Sequence, residues 1–447
     1  MLKTAAVESV TQQERGARHF RKSRLVWWPL VGVVVGYVSL ASVFAWRTPA
    51  WENNDESAHV QYIEHVVSTG LPPAISLKNG VESHQAPLYY YVAAGWQELL
   101  QIPSFTPNAA PANASPNWGG AQLFYISHDY TSRQSQQAVW VHELRLLSIL
   151  LGVITVVAAY ATAWLLLRQT AFATAVAATV ALWPKFLVVT TAVTNSTLAY
   201  ALCAAGMPFL LLWWQRREVR WAAAFGLTAG LAVLTDLATL PVVALALLTM
   251  IVLKLQQRDR RSPVAAAGTF LGLTGWWFAY NALQYGDPLR SRITTHYLKP
   301  FAGGALVRDP PSLSLQILDT FGRVLVHSVW WDGGWNQLHL PGVVDWVFTI
   351  AGLVCVVAAL AYRVPGWFML GAYALGSGIA WLLLVRATTQ GEGRYLLIAL
   401  VAWAILLVSG TCKLSGGYPA GWWAWPAAFL GVDLWLVASL LIPYGRL

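Results

Sequence analysis

The chain has 447 residues, of which 57% are hydrophobic and only 11% charged, and its formal net charge is +9. Soluble domains carry about 25% charged residues, whereas here apolar runs of about 20 residues, enough to cross a ~30 Å hydrocarbon layer, recur along the chain. A soluble globular domain, collagen, coiled coil and disorder are excluded, and Cys203, Cys355 and Cys412, without CxxC spacing, suggest neither a disulfide framework nor a zinc site.

Taken in order, residues 1–24 form a basic tail with Lys3, Arg15, Arg18, Arg21, Lys22 and Arg24. Eleven apolar segments follow, at 25–46, 144–167, 171–190, 196–214, 221–235, 237–253, 263–283, 343–362, 366–385, 395–412 and 420–443, each read as a transmembrane helix. The first is a retained anchor, since its length exceeds the 7–15-residue apolar core of a signal peptide. Residues 221–253 are split at Asp236, because one long helix would carry the basic cluster at 254–261 to the wrong side.

With the tail cytoplasmic, that side also receives Arg168, Arg216, Arg217, Arg220, Lys254, Arg258, Arg260, Arg261, Arg363 and Lys413. Tail and loops together hold more than half of the 29 basic residues, with few acids among them. The charge therefore records orientation in the membrane, and no nucleic-acid partner is needed. Trp-Trp pairs at 27–28, 213–214, 276–277, 330–331 and 422–423 read as interfacial anchors.

Two segments break the rhythm of short loops, 47–143 and 284–342, and both fall on the extracytoplasmic side; loops this long are usually functional. The chain divides into the tail 1–24, a transmembrane module 25–283 that includes loop 47–143, a second extracytoplasmic loop 284–342, and C-terminal helices 343–447. The expected class is all-α and polytopic, with about eleven transmembrane helices and amphipathic juxtamembrane helices in the first loop.

Directly after the first span comes Trp51-Glu52-Asn53-Asn54-Asp55-Glu56-Ser57-Ala58-His59, then Tyr62 and Gly70-Leu71-Pro72-Pro73. Asn54 or Asp55 suits an N-cap and Gly70 a helix end. Asp55, His59 and Tyr62 share one side of this helix at i, i+4 and i+7, while Val60, Ile63 and Val67 form another side suited to the membrane surface. A carboxylate and an imidazole facing one space can take a proton from a bound hydroxyl. A capped surface helix with solvated polar residues satisfies the same pattern, and Glu56 with His59, at i and i+3, leaves a divalent metal open, though no second such pair occurs. Next, His84-Gln85-Ala86-Pro87-Leu88-Tyr89-Tyr90-Tyr91 predicts a second helix on the membrane, started by its proline.

This order of motifs resembles the GT-C superfamily of polytopic glycosyltransferases that use polyprenyl-phosphate sugars. Its relatives include protein O-mannosyltransferases and lipid A aminoarabinose transferases, and within it the chain is similar to a bacterial branch of largely unassigned substrate. The likeness continues through His142-Glu143-Leu144-Arg145-Leu146-Leu147-Ser148, Trp183-Pro184-Lys185-Phe186 with Thr194-Asn195-Ser196, and Gly275-Trp276-Trp277-Phe278 with Tyr285-Gly286-Asp287-Pro288. It ends with Ser328-Val329-Trp330-Trp331 and Gly393-Arg394-Tyr395-Leu396. It departs where Asp236 replaces a usual lysine and Tyr280 a frequent arginine.

The resemblance implies inverting transfer from a polyprenyl-phosphate sugar to an acceptor hydroxyl of a lipid, glycan or protein at the extracytoplasmic face of the plasma membrane. Asp55 is then the general base, and Glu56 and His59 orient the acceptor or hold a metal. Arg145 and Arg394, at the outer ends of predicted spans, meet the donor phosphate, with His84 and Lys185 as further candidates; Tyr62 and Asn195 contact substrate. No cofactor is required by the sequence. Each arginine also satisfies the pattern of a snorkelling span-end cation. Two other readings stay open: a transporter or lipid flippase, which needs charges deep in the spans such as Asp236 or Asp433, and a catalytically inactive binding partner.

Overall fold

The computed structural model describes residues 26–76, 79–107, 136–255, 261–298, 315–333, 338–388 and 391–441. The predicted basic tail, and loop residues 108–135 and 299–314, lie outside the described residues. The helices are α1 (Trp28–Arg47), α2 (Glu56–Thr69), α3 (Leu88–Leu99), α4 (Gln136–Leu167), α5 (Thr170–Ala181), α6 (Pro184–Thr190), α7 (Ser196–Arg216) and α8 (Val219–Thr235). They continue with α9 (Leu240–Leu255), α10 (Arg261–Tyr285), α11 (Ser291–Leu298), α12 (Leu315–Trp330), α13 (Gly342–Ala361), α14 (Trp367–Thr388), α15 (Leu400–Leu414) and α16 (Ala424–Leu436). A two-stranded antiparallel ribbon, β1 (Asp332–Gly333) with β2 (Leu338–His339), follows α12.

The fold is all-α and polytopic. Each of the eleven predicted segments coincides with helix, but not all are alike. Among the described residues, six helical stretches are long and apolar enough to cross a membrane, and seven if the bent pair α5–α6 counts as one span. That pair was expected as one straight helix over 171–190 and is instead bent by 61°. The cause is local: Pro184 has no N–H to donate, and it holds Trp183 extended (φ −67°, ψ 115°), so the α5 ladder ends before it. The split at Asp236 is observed. Asp236 lies in extended backbone and its Oδ1 accepts the N–H of Ala238 at 2.8 Å, capping a short 3-10 turn that leads into α9.

Burial sorts the helices. α4 packs against α1, α5 and α7, and α8 lies between α7 and α10. At the other extreme α13 exposes Val343, Ile350, Leu353, Val354 and Val357 along one face, which suits contact with lipid tails. The amphipathic helices α2 and α3 form a separate apolar cluster with the start of α4, around Val60, Ile63, Tyr89, Tyr90, Val141 and Leu144. This corrects the expectation for α2: Val60 and Ile63 are fully buried against α3 and α4, and only Val67 of the predicted membrane face is exposed. Helix α3 does expose an apolar face, with Tyr91, Val92 and Leu99. As predicted, α2 ends at Gly70, whose left-handed backbone (φ 71°) closes a bond to the Val66 carbonyl.

The segment that carries Arg394 is a 3-10 turn, Gly393–Ala399, running directly into α15. Gly393 makes this seat: a Cβ there would collide with the backbone of Val329 in α12, and its N–H donates to Ser328 Oγ at 2.7 Å.

Candidate functional site

The turn after α1 sends two neighbouring acids in different directions. Asp55 has left-handed backbone (φ 60°, ψ 5°), which costs a non-glycine residue about 1–2 kcal/mol, least for Asp and Asn. It occupies the N-cap position of α2, but its side chain makes no capping bond. Its Oδ2 accepts instead from Arg394 Nη2 at 3.1 Å, and the side chain remains 24% exposed.

Glu56 turns inward. Its two oxygens accept from Arg145 Nε at 2.8 Å and Nη2 at 2.7 Å, and also from the backbone N–H groups of Trp51 (2.9 Å) and Val193 (3.1 Å). Arg145 spends its remaining N–H groups on the carbonyls of Ala45 (2.8 Å), Thr48 (2.6 Å) and Pro49 (2.9 Å). Both side chains have zero exposure. The bidentate pair thus ties α1, the turn, α4 and the loop before α7 into one joint. This corrects two expectations: Arg145 keeps no donor for a phosphate, and Glu56 keeps no lone pair aimed at a metal or an acceptor.

A cavity of about 250 Å³ opens beside Asp55. Its polar lining comprises Asp55, His59, Glu82, His84, Gln85, Asn195, Ser196, Asp236, Ser291, Thr294, Arg394 and Tyr395. The apolar part of the lining is Leu237, Ala238, Leu240, Pro241, Leu289, Ala380, Leu383 and Leu384. Six segments between helices, those before α2, α3, α7, α9, α11 and α15, therefore contribute to one lining.

His59 is buried, and its Nδ1 lies 2.9 Å from the Tyr90 hydroxyl. Burial holds its imidazole down at about 4, against the opposing pull of the Glu82 carboxylate, so the ring is neutral at pH 7. Tyr62 is stacked on Tyr90 with ring centroids 3.5 Å apart and donates to the Gln85 carbonyl at 3.4 Å; it braces the wall and is not among the lining residues. Asn195 Nδ2 donates to Gln85 Oε1 (3.1 Å) and the Thr235 carbonyl (3.2 Å), joining three segments of the rim.

Lys185 is elsewhere. It forms a buried ion pair with Asp332 on a separate small cavity that Arg394 also borders, so its charge is already matched. Three acids at the site, Glu82, Asp236 and Glu392, were not foreseen as site residues. Glu82 is buried on the cavity wall with Oε2 unpaired, and burial raises its carboxyl above the usual range. Asp236, noted in the sequence only as a departure and as a possible deep charge, lines the cavity at a helix end and is not deep in a span. Glu392 Oε2 lies 2.8 Å from Arg394 Nε, so two carboxylates bracket that guanidinium. Asp433 is buried in α16, away from these groups.

The residues foreseen for a metal do not fit one. Glu56 is spent on Arg145, and no group of three His, Cys, Asp or Glu side chains among the described residues is arranged to hold an ion. What the cavity does offer is a partly exposed carboxylate, a neutral imidazole, a guanidinium and a set of apolar side chains.

No protein-family model matches the chain, and no curated protein matches it. Solved structures do. ArnT from Cupriavidus metallidurans in the apo state superimposes with a TM-score of 0.53 at 14% identity, covering 93% of this chain and 73% of that one. The same protein bound to undecaprenyl phosphate gives 0.52 at 15% identity, over 93% and 74%. At such identities the likeness establishes the fold alone: this chain folds as ArnT does.

Proposed function

We propose that the protein is a membrane glycosyltransferase that moves a sugar from a polyprenyl-phosphate donor to an acceptor hydroxyl, with inversion and with Asp55 as general base. The observation that carries this reading is the Asp55–Arg394 pair in the lining of a cavity to which α9 and α14 contribute apolar side chains. A lipid phosphate needs a cation at the membrane boundary and an apolar path for its tail, and α9 with α14 offers that path beside Arg394. The same fold in ArnT binds undecaprenyl phosphate, which supports the same class of donor here.

In this reading the donor phosphate takes the Nη face of Arg394, which keeps Glu392 as its partner, and Asp55 is released toward the acceptor. The acceptor oxygen attacks the anomeric carbon from the side opposite the phosphate. One C–O bond forms, the C–O bond to phosphate breaks with its electron pair, and the hydroxyl proton passes to Asp55. Arg394 stabilises the charge on the departing polyprenyl phosphate. In the same reading neutral His59 hydrogen-bonds the acceptor, and Glu82, whose carboxyl burial raises above its usual range, contacts the sugar from the cavity wall. A lipid, glycan or protein acceptor fits equally, with membrane lipids as the surroundings.

The basic residues Arg168, Arg216, Arg217, Arg261, Arg363 and Lys413 fall at the opposite helix ends from the cavity, which supports a cytoplasmic N-terminus and an extracytoplasmic site. The deciding experiment reconstitutes the protein in liposomes with a polyprenyl-phosphate sugar and follows transfer. Wild type turns over and Asp55→Asn, equally well folded, does not; full activity in that variant removes Asp55 from the mechanism.

A further inference from the structure

A second guanidinium lies just behind the cavity wall. Arg290 precedes α11, and its neighbours Leu289 and Ser291 both line the cavity. Its backbone is left-handed (φ 56°), and its carbonyl accepts the Thr294 N–H at 2.9 Å in the manner of an N-cap. Asn, Asp or Gly is the local preference for both conditions. An arginine there is held for its side chain.

That side chain is buried, with 2% exposure. Its Nε donates to Asn281 Oδ1 at 2.5 Å, and its Cζ lies 4.2 Å from the ring centre of Trp277 and 4.8 Å from that of Tyr285. Among the described residues no carboxylate lies within ion-pair distance, and Nη1 is buried with no hydrogen-bond partner. The contrast with Arg145, whose every donor is used, is complete. Aromatic faces attract a cation, yet a buried charge without a counter-ion and with unspent N–H groups is unfavourable, and an anion relieves both defects. Bracing α10 against α11 would not need the charge.

We infer that Arg290 is a second cation for the donor phosphate, giving its Nη1 N–H groups to an anionic oxygen at the Leu289–Ser291 part of the cavity lining. This rests on the proposed lipid-phosphate donor and adds to it a residue that nothing in the motif order singled out. Asn281 then acts as the positioning residue that aims the fork.

The test compares binding of farnesyl phosphate and of farnesol, its uncharged alcohol, to the full chain in nanodiscs. Wild type is expected to prefer the phosphate by about tenfold or more, as a charged hydrogen bond implies. Arg290→Gln loses most of that preference while still binding the alcohol, and Arg290→Lys regains part of it. A merely structural arginine would weaken both ligands together. An undiminished preference in Arg290→Gln overturns the role of Arg290 and leaves the donor class standing. A wild type that does not distinguish the two ligands overturns the donor class itself, and this inference with it. A structure of the unaltered chain with farnesyl phosphate decides between these outcomes without any variant having to fold. A phosphate oxygen within about 3 Å of Nη1 supports the role, and phosphate density beside Arg394 alone refutes it.

Discussion

Asp55 and Glu56 are neighbours in sequence, and each meets an arginine from a distant part of the chain. Around Glu56 and Arg145 every lone pair and N–H is matched and nothing is exposed. Around Asp55 and Arg394 the contact is a single 3.1 Å bond, the carboxylate is partly exposed, and Glu392 already shares the guanidinium. One pair is a joint and the other is a reagent. The left-handed turn at Asp55 creates the difference, because it sends successive side chains to opposite sides. A fully satisfied ion pair has no donor or acceptor left for a substrate, so unfinished hydrogen bonding at a reachable position is the better mark of chemistry here.

Exchanging the roles of the two pairs is the sharpest way to break this contrast. Asp55→Asn keeps the shape of the side chain but not the base, and should lower the sugar-transfer rate by about 10²–10⁴-fold with an unchanged melting temperature. Glu56→Gln should do the reverse. Leaving Arg145 charged, buried and half-paired costs about 3–5 kcal/mol, read as a lower midpoint of thermal unfolding in detergent, with transfer per folded molecule largely kept. If Glu56→Gln abolished transfer at full stability, the assignment of joint and reagent would be inverted.

Smaller effects refine the reagent side. Arg394→Gln should weaken polyprenyl-phosphate binding by about 10- to 100-fold, measurable by calorimetry in nanodiscs, and leave the fold nearly intact. The least effect is a pH slope. Native His59 stays neutral down to about 4, whereas the unfolded chain takes up that proton near 6.5. The stability that His59 burial retains above pH 6.5 is therefore withdrawn as pH falls toward 4, by up to about 3 kcal/mol. Glu82, raised by burial, acts in the opposite sense as pH rises above the ordinary carboxylate range, so the net slope is shallower. Thermal melts of His59→Gln across this window should show the acid-side slope flattened.

Much of the fold was legible because hydropathy reports burial in lipid directly: the helical segments, the break at Asp236 and the end of α2 at Gly70 all follow from local residue chemistry. The bend at Pro184 carried an equally local signal, yet a continuous apolar run concealed it. Within the candidate site, Asp55, His59 and Arg394 were identified and the structure brings them to one cavity, with His84 and Asn195 also in its lining. Arg145 and Glu56 were placed there too, and no local rule could have separated them, since their partnership spans 89 positions and depends on one backbone dihedral. Glu82 stands two residues before His84, in a motif whose histidine and tyrosines carry the stronger signal. Arg290 had no signal, because its importance lies in Trp277, Tyr285 and Asn281, which reach it only after α10 and α11 have folded together.

The hydrogen atom that serves as the side chain of Gly393 has a consequence for anyone who alters this protein. The 3-10 turn it begins is a party wall: Arg394 and Tyr395 line the acidic cavity, while Leu396 and Leu397 border a larger, mostly apolar hollow of about 710 Å³ between α12, α13 and α15. One methyl at position 393 would lever that wall off the backbone of Val329 and misaim the guanidinium, without touching a single reactive atom.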